Sequence, residues 1–255
     1  MQDASPHRRR WALVLPVVVT VLLGAGVGGY VVLESQRQSD RIEAADDLAA
    51  DYLSDVATYR AEIAKALKEA DADSPASLRR ALRTAAADPP ELGTTDQDAM
   101  DQSTTYAEAQ RVAETLLDPY RGLARALKKA QADQAFVGAA TEVLQLRASD
   151  YVDGTVISSS AQVRGSLIPT FVKARDEFAA VDVPKGAEQA AELTRVAIQS
   201  VIDGATALAD SIDAGRAYTF SYGDEHAAAL TAVDDFAARA DGDFVEAVNA
   251  VKDLG

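Results

Sequence analysis

The chain has 255 residues, a formal net charge of −15, 48% hydrophobic but only 6% aromatic residues, and no cysteine. Disulfides, thiolate metal centres and cysteine nucleophiles are therefore excluded, and so acidic a surface repels nucleic acid, so no nucleic-acid partner is expected. Much of the apolar share is alanine, a strong helix former and a poor core filler, with few glycines and prolines, so an all-α fold is expected.

Residues 1–10 hold Arg8, Arg9 and Arg10 against Asp3 alone, which leaves the rest of the chain more acidic than the whole. Residues 11–33, WALVLPVVVTVLLGAGVGGYVVL, carry no charge. As a helix this run is ~34 Å long, enough to cross a hydrocarbon layer of ~30 Å. It reads as a transmembrane signal anchor, with the lipid bilayer as its partner. The arginines before it place residues 1–10 in the cytoplasm and everything after it on the extracytoplasmic side. Trp11 and Tyr30 lie near its two ends, where amphipathic rings favour the interface. A cleaved signal peptide is the competing reading, because Gly24-Ala25-Gly26 suits a signal peptidase. The run is long for that role and continues through Leu33; both readings export the domain. Gly24 and Gly28 form a GxxxG step that suits a membrane-helix dimer face, although glycine is also common in membrane helices. Pro16 predicts a slight kink.

Residues 34–72 form a long helix or stalk that enters the domain. Ile42, Ala45, Ala49, Tyr52, Val56, Tyr59, Ile63, Leu67 and Ala70 recur every three or four residues, a single heptad-like apolar seam, and no Gly or Pro interrupts it. Ser74 then caps a new helix with Pro75 in its first turn. That helix runs to about residue 87, and residues 88–102 read as loop and irregular chain. A helix from about Ser103 carries Tyr106, Ala109, Ala113, Leu116, Tyr120, Leu123, Leu127 and Ala130 on one side. Asp118-Pro119 marks a kink or tight restart within it, and the helix continues to about residue 146.

Three further segments, 160–181, 184–214 and 224–254, each place large apolar residues on one face: Phe171 and Phe178 in the first, Ile198 and Leu208 in the second, Leu230, Phe236 and Phe244 in the third. Residues 73–255 are therefore the remainder of the extracytoplasmic domain. The expected architecture is an N-terminal transmembrane helix followed by an antiparallel helical bundle of four or five long helices.

Four features carry candidate chemistry. Tyr218, Phe220 and Tyr222 alternate within one short inter-helix segment of a chain with only eight Tyr, six Phe and one Trp. They read either as a recognition loop or as a lid that fills the end of the bundle. Arg121, Arg125, Lys128 and Lys129 form a basic stripe on one helix, and Arg79, Arg80 and Arg83 form another. Either stripe suits an anionic ligand or a polyanionic wall polymer, or simply complements helix C-termini and an acidic surface. His226, beside Asp224 and Glu225, lacks the convergent partners that a zinc site or catalytic triad requires. Asp71-x-Asp73, Asp96-x-Asp98 and Asp241-Gly242-Asp243 do not continue into a calcium-loop pattern. No phosphate loop or hydrolase motif occurs, so no cofactor or metal is expected. Arginine and alanine usage suggests a bacterial source.

The expected function is that of a single-pass, membrane-anchored, non-enzymatic interaction or structural protein of a cell envelope. It would work with an envelope protein partner or by self-association. The alternative is an extracytoplasmic ligand-binding or sensory domain that works with a partner protein, because the ten cytoplasmic residues are too few for an output domain.

Overall fold

A computed structural model describes residues 8–151 and 159–252, with side chains described from residue 36 to residue 251. Every element among these residues is helical: α1 (Arg8–Glu69), α2 (Pro75–Ala85), α3 (Gln97–Gln102), α4 (Thr104–Thr115), α5 (Asp118–Leu144), a 3₁₀ turn (Ala148–Tyr151), α6 (Ser160–Gln162), a π-helical turn (Val163–Leu167), α7 (Ile168–Ala179), α8 (Glu188–Asp213) and α9 (Gly223–Lys252). The fold is an all-α helical bundle. Among the described residues no helix is long and apolar enough to cross a membrane. The apolar run 11–33, with Gly24 and Gly28, lies in the part of α1 whose side chains are outside the described residues.

The chain divides into two compact units. The first comprises α1 as far as Arg60 together with Asp88–Leu117; the second comprises Ala61–Ala87 and the chain from Asp118 onward. In the first, Ala45, Ala49, Tyr52, Val56 and Tyr59 of α1 are buried, as are Ala99, Tyr106, Ala109 and Leu116. Small residues set its spacing and polar groups set its register. The Ser103 hydroxyl donates to Asp46 Oδ1 at 2.5 Å and accepts from the Tyr106 N–H at 2.8 Å, which caps α4. The Tyr106 hydroxyl donates to the Gly93 carbonyl at 2.9 Å. Gly93 itself passes close to α1, where a Cβ would stand 3.3 Å from Leu48 Cδ2. The residues 94–102, expected to be irregular, contain α3. Asp96 caps it by accepting from the Ala99 N–H, and Ala99 is buried beneath it. Polar composition concealed this helix, because its only anchor is one alanine.

The second unit is an up-down-up-down four-helix bundle of α5, α7, α8 and α9, with α2 laid along α5. Paired side chains show the alternation. Lys129 meets Asp243 and Phe136 meets Phe236, so α5 and α9 are antiparallel. Phe136 also meets Phe178 of α7, and Arg164 meets Asp210 and Asp213 of α8. Phe136 is the centre of the core: fully buried, 5.6 Å edge-on to Phe236 and 6.0 Å from Phe178. The expected seams agree with this core at most positions. Leu230 is an exception: it is 37% exposed, while Ala229, one full turn before Val233, holds the buried position.

Candidate functional site

α5 carries two features, which share Lys129. One is a groove against α9. Ala130 and Gly138 on α5 and Ala237 and Ala240 on α9 are too small to fill the space between the two backbones, and they leave a cavity of about 370 Å³ walled by Val137 and Phe244. A Cβ added at Gly138 would meet nothing within 4 Å, so a larger side chain has room there.

Into this lining falls a carboxylate. Asp133 is only 2% exposed. Its Oδ2 accepts from Lys129 Nζ at 2.9 Å, one turn earlier on the same helix, and the same ammonium reaches Asp243 Oδ2 of α9 at 3.2 Å. The hydrogen bond that it donates to Asp133, helped by the one to Asp243, outweighs burial and holds the Lys129 ammonium above its ordinary pKa. Asp133 Oδ1 has no hydrogen-bond partner among the described residues. An unmatched buried polar atom costs about 1–3 kcal/mol, and more when charged. Sequence reading passed over Asp133, although a signal was present. The seam through Leu123, Leu127 and Ala130 requires an apolar residue at 133 or 134, and both positions are polar.

The other feature is the basic stripe. Arg121, Arg125, Lys128 and Lys129 are all exposed on α5. Arg121 pairs with Asp118 one turn away and Lys129 with Asp133 and Asp243, while Arg125 and Lys128 have no ion pair among the described residues. α2 lies beside this stripe. Gln134 donates to the Asp73 carbonyl and Arg79 donates to Gln131 Oε1, so α2 and α5 run in opposite directions. Arg83, one turn beyond Arg79, thus falls on the side of Lys128, one turn before Gln131. α2 contains no acid, and α5 contains none between Asp118 and Asp133. The structure brings the two expected basic stripes into one neighbourhood.

The aromatic segment divides. The Phe220 ring lies directly on α8 at Gly204, where a Cβ would come within 2.5 Å of it. Tyr222 sits 5.2 Å from Phe220, and both rings pack on the core of the bundle. His226 lies edge-on to Tyr222 at 6.1 Å. Tyr218 is instead 42% exposed. Two of the acidic pairs serve as local caps and turns, since the Asp73 N–H donates to Asp71 Oδ1 and Asp96 caps α3, whereas Asp241 and Asp243 lie within α9, where Asp243 accepts from Lys129. Among the described residues no group of three or more His, Asp and Glu side chains could hold a metal ion.

A third ionic cluster closes the end of the bundle. Arg164, in the π turn, reaches Asp210 at 2.6 Å and Asp213 at 2.5 Å, and the Ser160 hydroxyl also donates to Asp213. The Ser160 bond first, and then Arg164, hold the Asp213 carboxyl below its ordinary pKa. The cluster fastens α6 and the π turn to α8.

The chain matches no protein-family model, no curated protein and no solved structure.

Proposed function

We propose that the chain is a single-pass, membrane-anchored protein whose exported helical bundle acts as a non-enzymatic interaction protein of the cell envelope, meeting an anionic partner through the basic face of α2 and α5. The uncharged run 11–33 after Arg8, Arg9 and Arg10 supports the anchor and its orientation. The observation that carries the interaction reading is the gathering of Arg79, Arg80, Arg83, Arg125 and Lys128 on two packed helices of a chain with a net charge of −15. Grouped like charges repel one another, so this face gains most from a partner of opposite sign.

The test is crosslinking with affinity capture in native cells. The wild-type chain is compared with a variant carrying glutamine at positions 80, 83, 125 and 128. Loss of the captured anionic neighbours, with an unchanged helical circular dichroism spectrum, is expected. The same neighbours at the same yield would refute the reading. A second reading is an extracytoplasmic ligand-binding domain, and the groove beside Asp133 favours it.

A further inference from the structure

We propose that the cleft between α8 and α9 is a binding site for a small zwitterion with an apolar body, of the α-amino acid class, whose ammonium meets Asp235 and whose carboxylate meets Arg239. The proposal rests on the ligand-binding reading and depends on neither the basic face nor the α5–α9 groove. The cleft has a volume of about 420 Å³, within the range of small-ligand sites. Ala190 and Leu193 of α8 and Ala228 and Ala232 of α9 give it an apolar wall, and Asp235 and Arg239 border it from α9. Both charged residues are exposed, so a ligand in the cleft meets them without opening the core. They stand four residues apart with the acid first, the spacing and order that favour an ion pair along a helix. Lys65 and Glu69, Lys129 and Asp133, and Lys173 and Glu177 all pair at this spacing. Asp235 and Arg239 do not, and neither has an ion pair or a side-chain hydrogen bond to any other group among the described residues. The cleft is thus bordered by one unmatched charge of each sign, on Cβ atoms ~6 Å apart. An ammonium and a carboxylate carried on one carbon are close enough to meet both charges together. A simple amine leaves Arg239 unmatched and brings a like charge beside it, and a simple acid does the same to Asp235. Both contacts of the zwitterion are charge-assisted, and the guanidinium accommodates a carboxylate through two parallel N–H bonds.

Calorimetric titration of the full-length protein in detergent at neutral pH, corrected for detergent alone, tests this with three probes that share a phenyl body: phenylalanine, phenethylammonium and hydrocinnamate. Phenylalanine is expected to bind about tenfold more tightly than either singly charged probe. Asp235→Asn should remove its advantage over hydrocinnamate, and Arg239→Gln its advantage over phenethylammonium. Both positions are exposed, so the helical circular dichroism spectrum should be unchanged. Ala228→Trp, which obstructs the cleft and leaves both charges in place, should abolish binding. Phenylalanine that binds no more tightly than one of the singly charged probes overturns the zwitterion assignment while leaving a ligand cleft. Phenylalanine binding that survives all three substitutions overturns the site while leaving the ligand-binding reading. No binding of any probe overturns the proposal and leaves that reading to the α5–α9 groove alone.

Discussion

The two compact units are built from similar alanine-rich helices, yet their interiors differ. The second unit is centred on rings, with Phe136 in contact with both Phe178 and Phe236. The first has no phenylalanine among its buried residues; alanines let its helices approach, and tyrosines and a capped serine fix how they meet. The same helix-forming composition thus supports two kinds of core. Burial of rings supplies large, geometry-tolerant energy. An alanine seam supplies little area, so it depends on directional bonds to be unique.

That contrast can be broken most directly at Phe136. Phe136→Ala should lower stability by about 3–5 kcal/mol, because removing a fully buried ring that packs on rings of α7 and α9 leaves a cavity. Urea unfolding measures the loss, and peptide-resolved hydrogen exchange should show α5, α7 and α9 losing protection. A cost under about 1.5 kcal/mol, the scale of a volume-conserving swap, would mean that the second unit is not centred on this ring.

Gly204→Ala sharpens the same point at the edge of that core. Helix propensity alone favours alanine by about 1 kcal/mol. Here the added methyl would lie within 2.5 Å of the Phe220 ring, so the ring must move and a net loss of roughly 1–3 kcal/mol is expected from overpacking. A raised melting temperature would show that Phe220 does not lie on α8.

The first unit should answer to polar changes instead. Ser103→Ala removes the α4 cap and the partner of Asp46, and should cost about 1–2 kcal/mol by the same urea assay. A change within ±0.5 kcal/mol, the usual range for an ordinary surface substitution, would place this unit on the same footing as the other.

Tyr52→Phe should have the smallest effect at neutral pH, because the hydroxyl it removes is buried without a hydrogen-bond partner among the described residues. Its signature is alkaline. Burial raises the Tyr52 pKa above 10.0, with Arg60 opposing more weakly, so the folded chain resists ionisation that the unfolded chain accepts. Stability should be lost as pH rises from 10.0 through the folded value, and Tyr52→Phe should flatten that decline. An unchanged alkaline slope would show that the hydroxyl is hydrated.

The periodic seams were legible in the sequence because burial repeats every three to four residues. Ala45, Ala49, Tyr52, Val56, Ile63 and Leu67 all lie in the interior, as do Val163, Leu167, Phe171 and Phe178. α3 was not legible, because one buried alanine among polar residues makes no pattern. Leu230 misled because a large apolar residue outweighs the neighbouring alanine in any count of hydrophobicity, whereas position on the helix decides burial. The basic stripes could be read separately, but their neighbourhood depends on the α2–α5 register, which is tertiary. Asp133 was legible only as a gap in a seam. Its unpartnered oxygen arises from the packing of α5 against α9, which no local spacing specifies.

The π turn at Val163–Leu167 has a consequence for chain length. Its wide hydrogen bond runs from the Ile168 N–H to the Val163 carbonyl, immediately before Pro169, which has no N–H to contribute. At about 100° per residue, an ordinary helix would carry Phe171 about 80° out of line with Val163, yet both are buried. Seven residues between them instead of eight would restore alignment to within about 20° in a regular helix. The turn is thus equivalent to one inserted residue, placed where a proline already interrupts the ladder. Loss of that proline and a one-residue deletion between 163 and 167 should therefore compensate each other. A bundle of this design lacking proline at 169 is expected to be one residue shorter here, with Arg164 still facing Asp210 and Phe171 still facing the core.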